Sequence, residues 1–435
     1  MIMVRRSRRG GGGGLRFAAT SLALAVAAAA APTATLRAAA ATAGADSADR
    51  TIAQRLQQRF PQAGLGSGRV GQVLDAGSGR TVWSSGAGLG RMPASTMKLA
   101  TAVTALTVLG PDHTERTRTV YADGTLYLVG GGDQRLDRAG LGRLAADTAR
   151  ELKSRRLAVH ALRVDDSLFP APTLSPGWQP GYLPYEVAPV RALALCGDRV
   201  GDTALAAGDV FAGALAKAGV AVPPGPLRHA VAPAVDGGGG GDGGAVLLAS
   251  RTSVPLWNAV EYMLKVSDNN IAEGLLRLAA LGRGRPATWQ GGTAVVRQVL
   301  DGYGVPLGGV RILDGSGLSR QDRMTAAALA DLAALAVDPG RHRTLWPLLE
   351  GLPIAGRDGT LAARLHRFDS PPSSCAAGRV HAKTGTLHDS TALAGVARGS
   401  DGRWKAFAFV ENGSVHKSQA RSGLDRLAAT VTGCW

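Results

Sequence analysis

The stretch Pro93-Ala94-Ser95-Thr96-Met97-Lys98-Leu99-Ala100-Thr101-Ala102-Val103-Thr104-Ala105-Leu106-Thr107-Val108-Leu109 decides how this chain is read. Met97, Leu99, Ala100, Val103, Leu106 and Leu109 predict a helix over about 95–109, entered at Pro93-Ala94 and stopped by Gly110-Pro111. Ser95 and Lys98 stand three apart at its start, so they share one face and their hydroxyl and amine can touch. The free N–H groups of a helix N-terminus favour an oxyanion nearby. A serine hydroxyl is a weak nucleophile at neutral pH, but an amine held neutral by burial or by a like charge can take its proton. Alone, the Ser-x-x-Lys spacing is a common chance pattern of a solvated helix.

Two later triplets change its meaning. Ser267-Asp268-Asn269 interrupts the strongest helical periodicity of the chain, about 254–282, where the ordinary reading is a helix break or cap. Lys383-Thr384-Gly385-Thr386 enters or lies on a late strand, where the ordinary reading is an edge strand carrying a lysine. There Gly385 would let a backbone or ligand approach closely, and Lys383 would offer a positive charge to a substrate carboxylate. Ser-x-x-Lys, Ser-Asp-Asn and Lys-Thr-Gly in this order, each on an element suited to it, form the site pattern of penicillin-binding proteins and class A β-lactamases.

Around these anchors the remaining 435-residue chain reads as globular, with room for two or three domains, 45% hydrophobic and 19% charged residues. Helices are predicted near 44–60, 139–155, 208–219, 324–336 and 417–431. Strands are expected in a hairpin over 68–84, over 117–130, at 158–165, at 309–313 and as a pair within 379–411. A Pro-rich loop covers 170–190, and Gly237 to Gly244 read as a flexible segment. The sum is an α+β fold: an antiparallel sheet with strands from both ends of the chain, flanking helices and an all-helical region, plus an inserted smaller α/β domain. Domain boundaries follow as a leader at 1–43, a main domain at 44–115 and 246–435, and an insert at 116–245.

Residues 1–43 carry six arginines and no acid, with an uncharged Ala-rich run from Phe17 to Leu36 and Ala41-Thr42-Ala43 before Gly44. That order is a secretory signal peptide, which predicts an exported protein at the extracellular wall or the periplasmic side of the membrane. Membrane contact would arise only through an uncleaved signal. Removing the leader takes the net charge from +16 to +10, which suits an anionic envelope. No basic run interleaved with aromatics points to nucleic acid. Three cysteines, Cys196, Cys375 and Cys434, permit one disulfide, with the pairing open. The eight histidines show no ligand spacing, so no metal or organic cofactor is expected.

Further stretches carry a specific resemblance: Leu126 to Asp133, Ala188 to Leu193, Ser267-Asp268-Asn269-Asn270-Ile271-Ala272-Glu273, Asp314-Gly315-Ser316-Gly317-Leu318-Ser319-Arg320, Leu352 to Gly356, and His381 to Leu387. With these the chain resembles the penicillin-binding D-alanyl-D-alanine carboxypeptidase/endopeptidase family, the low-molecular-mass class C penicillin-binding proteins of type 4. The resemblance implies a serine β-lactamase/DD-peptidase-like fold and peptidoglycan stem peptides and β-lactams as ligands. It gives Ser95 as nucleophile and Lys98 as its base. Ser267 with Lys98 would relay a proton to the leaving amine, and Asn269 would hold the substrate amide and orient Lys98. Backbone N–H groups of Ser95 and Thr386 would form the oxyanion hole. Lys383 and Thr384, with Gly385 and Thr386 beside them, would bind the terminal carboxylate. Arg320, Trp178 and Tyr185 would meet the stem-peptide side chain.

Some features depart from the family pattern. The interval between Ser95 and Ser267 is short for the family's larger inserts, which suggests one reduced inserted domain. His388-Asp389 follow the Lys-Thr-Gly strand where small turn residues are expected, and no acid stands beside Trp178 in the sequence. The rivals are a β-lactamase and a catalytically inactive wall-binding module. A class A β-lactamase needs a glutamate for deacylation between the second and third motifs. Only Glu273 and Glu350 lie there, outside the Glu-x-x-Leu-Asn pattern. The module reading fits poorly with intact Ser95, Lys98, Ser267, Asn269 and Lys383.

Overall fold

Alternation in the last third of the chain sets the architecture. The computed structural model describes residues 46–235, 244–413 and 416–435; the predicted leader and most of the Gly237–Gly244 run lie outside the described residues. Three strands, rather than two, fill the segment near 379–411: β8 (Val380–Leu387), β9 (Ser390–Arg398) and β10 (Trp404–Asn412). The expectation missed that Gly399-Ser400-Asp401-Gly402 is itself a tight turn, closed by the Gly399 N–H on the Arg403 carbonyl at 2.9 Å. The remaining strands of this sheet come from the other end of the chain, β1 (Val70–Asp75) and β2 (Thr81–Ser85). Their order is β2-β1-β10-β9-β8, with every neighbour antiparallel.

Successive strand residues face opposite sides. In β10, Ala406, Ala408 and Val410 join one core cluster while Phe407 and Phe409 join another. On the aromatic side the sheet is covered by helix α1 (46–59) and a C-terminal helix; Ile52, Leu56 and Phe60 meet Trp83, Phe407, Phe409, Leu424 and Leu427. On the small-residue side, alanines let helices pack close. That core includes α2 (Lys98–Leu109), preceded by a single 3₁₀ turn at Ala94–Met97.

Between α2 and the second motif lies another five-stranded sheet. Its strands are β3 (Arg116–Ala122), β4 (Thr125–Val129), β5 (Ala161–Asp165), β6 (Arg228–His229) and β7 (Val246–Thr252). The order β6-β5-β4-β3-β7 mixes antiparallel and parallel pairs. Helices α3 (Arg138–Ser154) and α4 (Thr203–Lys217) cover it with a core of their own around Leu126, Leu144, Phe211 and Leu215. β7, read from sequence as part of the peptidase domain, pairs with β3 in this second sheet.

The long periodic region divides into α5 (Leu256–Val266) and α6 (Asn269–Gly282), followed by α7 (Trp289–Gly302). Next come α8 (Ala326–Ala334) and α9 (His342–Gly351), and α10 (Lys417–Val431) closes the chain. The strand expected at 309–313 is reduced to an isolated bridge, Arg311 to Arg323. Cys375 and Cys434 are bonded, tying the segment before β8 to the C-terminus, and Cys196 is a free thiol. Among the described residues no helix is long and apolar enough to cross a membrane.

Candidate active site

The α5–α6 break is a cap and a side-chain display at once. Ser267 ends α5 in the left-handed region (φ 63°), and the Asp268 carboxylate caps α6 by accepting from the Ile271 N–H at 2.9 Å. Asn269 therefore begins α6 pointing beside Ser267. Ala94, just before Ser95, also has positive φ (46°). A non-glycine residue there is disfavoured by about 1–2 kcal/mol, which the surrounding packing must offset.

Close backbone approach builds the rest. At Gly317 (φ 82°) a Cβ would sit 1.9 Å from the Ala94 carbonyl oxygen, and at Gly385 it would sit 2.6 Å from the Pro93 carbonyl oxygen. The glycines of two separate motifs thus let the 314–320 loop and β8 close on the turn that carries Ser95.

Lys98 is fully buried and points at three neutral acceptors: Ser95 Oγ at 2.9 Å, Asn269 Oδ1 at 2.6 Å and the Ser316 carbonyl at 2.9 Å. Burial lowers its pKa to about 8 against the pull of Glu273, Asp314, Asp268 and Glu186. Glu273 fixes the Ser316 carbonyl from behind, its carboxylate accepting the Gly315 and Ser316 N–H groups at 2.8 Å each. Burial, reinforced by Asp314, raises Glu273 to about 8.

Lys383 is also fully buried. Its amine donates to Ser267 Oγ and to the Thr384 carbonyl, both at 2.9 Å. Burial, then the Lys98 charge, push it well below the lysine range. Ser267 is thus in contact with Lys383 rather than with Lys98. The Asn269 side chain is occupied on both ends, since its Nδ2 donates to the Glu186 carbonyl at 2.8 Å.

Ser95, Ser267, Asn269, Thr384 and Thr386 line one cleft of about 420 Å³, with Glu186, Val266, Thr360, Leu365, Arg367 and Arg421. The Ser95 and Ser267 hydroxyls reach this cleft, each held from behind by a buried lysine, an arrangement suited to acyl transfer.

The sequence matches the D-Ala-D-Ala carboxypeptidase 3 (S13) family over residues 49–199 and 181–431. It is 32% identical over 400 residues to a carboxypeptidase DacB of Mycolicibacterium smegmatis, covering 86% of this chain and 82% of that one. The chain belongs to the S13 D-Ala-D-Ala carboxypeptidase family. Its class is that of a serine-type D-Ala-D-Ala carboxypeptidase. A D-alanyl-D-alanine carboxypeptidase of Actinomadura is 29% identical, with 78% of this chain and 77% of the relative covered. In fold the chain is similar to penicillin-binding protein 4 of Haemophilus influenzae (TM-score 0.66, 24% identity, 84% of this chain and 96% of that one), which has also been solved with a β-lactam.

Trp178, Arg320 and Tyr185, read from the family resemblance as the stem-peptide pocket, are not among the residues that line the cleft. The Trp178 indole N–H donates to Asp314 at 2.8 Å and its ring meets Trp289 edge-on, so it packs under the loop. Arg320 pairs with Asp389 at 2.5 Å, which accounts for the unexpected acid after β8. Tyr185 is 83% exposed. Thr360, whose hydroxyl lies 2.7 Å from that of Thr384, was missed, as were Arg367 and Arg421. Thr360 falls just after the Leu352–Gly356 stretch, a usable signal; the two arginines carry none.

Proposed function

We propose that this S13 protein is an exported serine D-Ala-D-Ala carboxypeptidase, with endopeptidase action on crosslinks of the same stereochemistry, working on peptidoglycan stem peptides through a Ser95 acyl-enzyme. The observation that carries the reading is the buried Lys98 amine, held on Ser95 Oγ by neutral partners and lowered to about 8. Neutral Lys98 takes the Ser95 proton as Oγ bonds to the scissile carbonyl carbon. The Ser95 and Thr386 N–H groups receive the oxyanion; losing one such donor typically costs about 10²–10³ in rate. As the C–N bond breaks, Ser267, held by Lys383, passes its proton to the departing amine and takes back the one Lys98 removed from Ser95, which leaves Lys98 neutral for the water step. Water then releases the acyl group.

A β-lactam presents an equivalent carbonyl and carboxylate, so penicillins acylate Ser95. The β-lactam complex of the Haemophilus protein supports this. Glu273 and Glu350, the glutamates between the second and third motifs, do not line the cleft, and Glu186, which does, precedes the second motif; this favours slow deacylation over a β-lactamase. The bonded Cys375–Cys434 pair supports an oxidising, exported location.

Intact mass after mixing with benzylpenicillin tests the reading. A long-lived adduct is expected on the wild type and none on Ser95→Ala. An adduct on Ser95→Ala, or none on a folded wild type, overturns it.

A further inference from the structure

The terminal carboxylate of the substrate needs a positive partner, and the sequence reading gave that task to Lys383. Lys383 does not line the cleft: its amine is fully buried and already donates to Ser267 and Thr384. Lys98 is likewise buried and committed to three acceptors. The cations on the cleft wall are Arg367 and Arg421.

These two differ in what they already hold. Arg367 is buried, and its guanidinium grips Asp425 through Nε at 2.9 Å and Nη2 at 2.5 Å. Arg421, one helical turn before Asp425 on α10, is exposed and has no hydrogen bond or ion pair among the described residues. Asp425 hydrogen-bonds to Arg367 and reaches Arg421 only through its field, so the Arg421 guanidinium lines the cleft with no direct acceptor among the described residues. Loss of hydration against the cleft walls, then the neighbouring Arg367, lower its pKa, and an anion beside it would relieve both effects. The Thr360–Thr384 hydroxyl pair shares this wall and offers a neutral donor to the same anion.

We propose that Arg421 is the specificity-determining cation of this site, receiving the carboxylate next to the leaving amine while Thr384 and Thr360 orient it. Both substrate types keep that group: the terminal D-Ala of a stem peptide, and the α-carboxylate of the amino acid released from a crosslink. Penicillin carries one as well. Arg421 contributes by binding and positioning, with no part in proton transfer. This assignment rests on the carboxypeptidase reading above.

The test compares two N-acylated tripeptides ending in D-Ala-D-Ala, one with a free carboxylate and one with a terminal carboxamide. Wild type, Arg421→Gln and Arg421→Lys are assayed on both. Arg421→Gln should lower kcat/KM for the carboxylate peptide by about 10- to 100-fold, the range for a lost hydrogen bond to a charged group. On the carboxamide it should stay within about twofold of wild type, and Arg421→Lys should recover part of the loss on the carboxylate. Equal losses on both peptides, or an unchanged carboxylate rate, would overturn the assignment. A folded wild type that cleaves neither peptide and takes no penicillin would bring down the enzyme reading itself, and this assignment with it.

Discussion

Lys98 and Lys405 both have no exposed surface, and their surroundings are opposite. Lys98 is met by a hydroxyl, an amide oxygen and a carbonyl, with no carboxylate in contact. Lys405, on β10, is met by Asp49 at 2.6 Å, Asp75 at 2.9 Å and Asp401 at 3.0 Å. Burial would lower Lys405, but these three carboxylates overcome it and raise its pKa, whereas Lys98 falls to about 8. One fold therefore uses the same buried residue in two ways. Charged and paired, it joins α1, β1 and β10. Among uncharged partners, with its pKa brought down to about 8 by burial, it stands within reach of the Ser95 proton.

The contrast breaks most sharply on replacement by methionine. Lys98→Met should lower the penicillin acylation rate by about 10²–10⁴, the usual worth of a positioned base, with little change in thermal midpoint. Lys405→Met should do the reverse. The buried aspartates would keep Arg403 as the cation they share, so the loss should be about 1–3 kcal/mol in denaturant unfolding, while the folded fraction still acylates at the wild-type rate. If Lys405→Met abolished acylation without loss of stability, the comparison would fail.

pH sharpens it further. With neutral Lys98 as the proposed acting form, acylation should fall about tenfold per pH unit below an apparent pKa near 8, measured by stopped-flow quenching with a fluorescent penicillin. A pH-independent rate below about 8 would remove Lys98 from the base role. The charged cluster responds in acid. Burial opposes ionisation of Asp75, but hydrogen bonds from Lys405 and Ser78 bring it down to about 2 from 3.8. A carboxyl lowered on folding stabilises above its unfolded value and loses that contribution as pH falls through the folded one. Up to about 2 kcal/mol should therefore disappear between about pH 4 and pH 2, and Asp75→Asn should flatten that limb.

The smallest expected effect lies on the cleft wall. Thr360→Val removes one hydroxyl beside Thr384, and kcat/KM should drop by about 3- to 10-fold, the worth of one neutral hydrogen bond. A loss as large as that of Lys98→Met would move Thr360 into the chemistry itself.

Local information was enough for much of this protein. The i, i+3 spacing of Ser95 and Lys98 makes them neighbours on any helical turn, and Ser-Asp-Asn both caps a helix and places its flanking side chains. Alternation along β8 to β10 and the closing helix at 417–431 follow from side-chain period alone. Long-range partners lay beyond that reach. Ser267 is bonded to Lys383 across 116 residues, Trp178 reaches Asp314 across 136, and Arg320 finds Asp389 across 69. Arg367 and Arg421 look alike as letters; Asp425 alone separates them, by occupying one and leaving the other open. The sequence by itself determined which groups can do chemistry here, because identity and helical or strand period are local properties. The tertiary structure decided which buried lysine meets carboxylates, which arginine is bonded to Asp425 and which cysteines are joined, because burial and pairing depend on what the rest of the chain brings alongside.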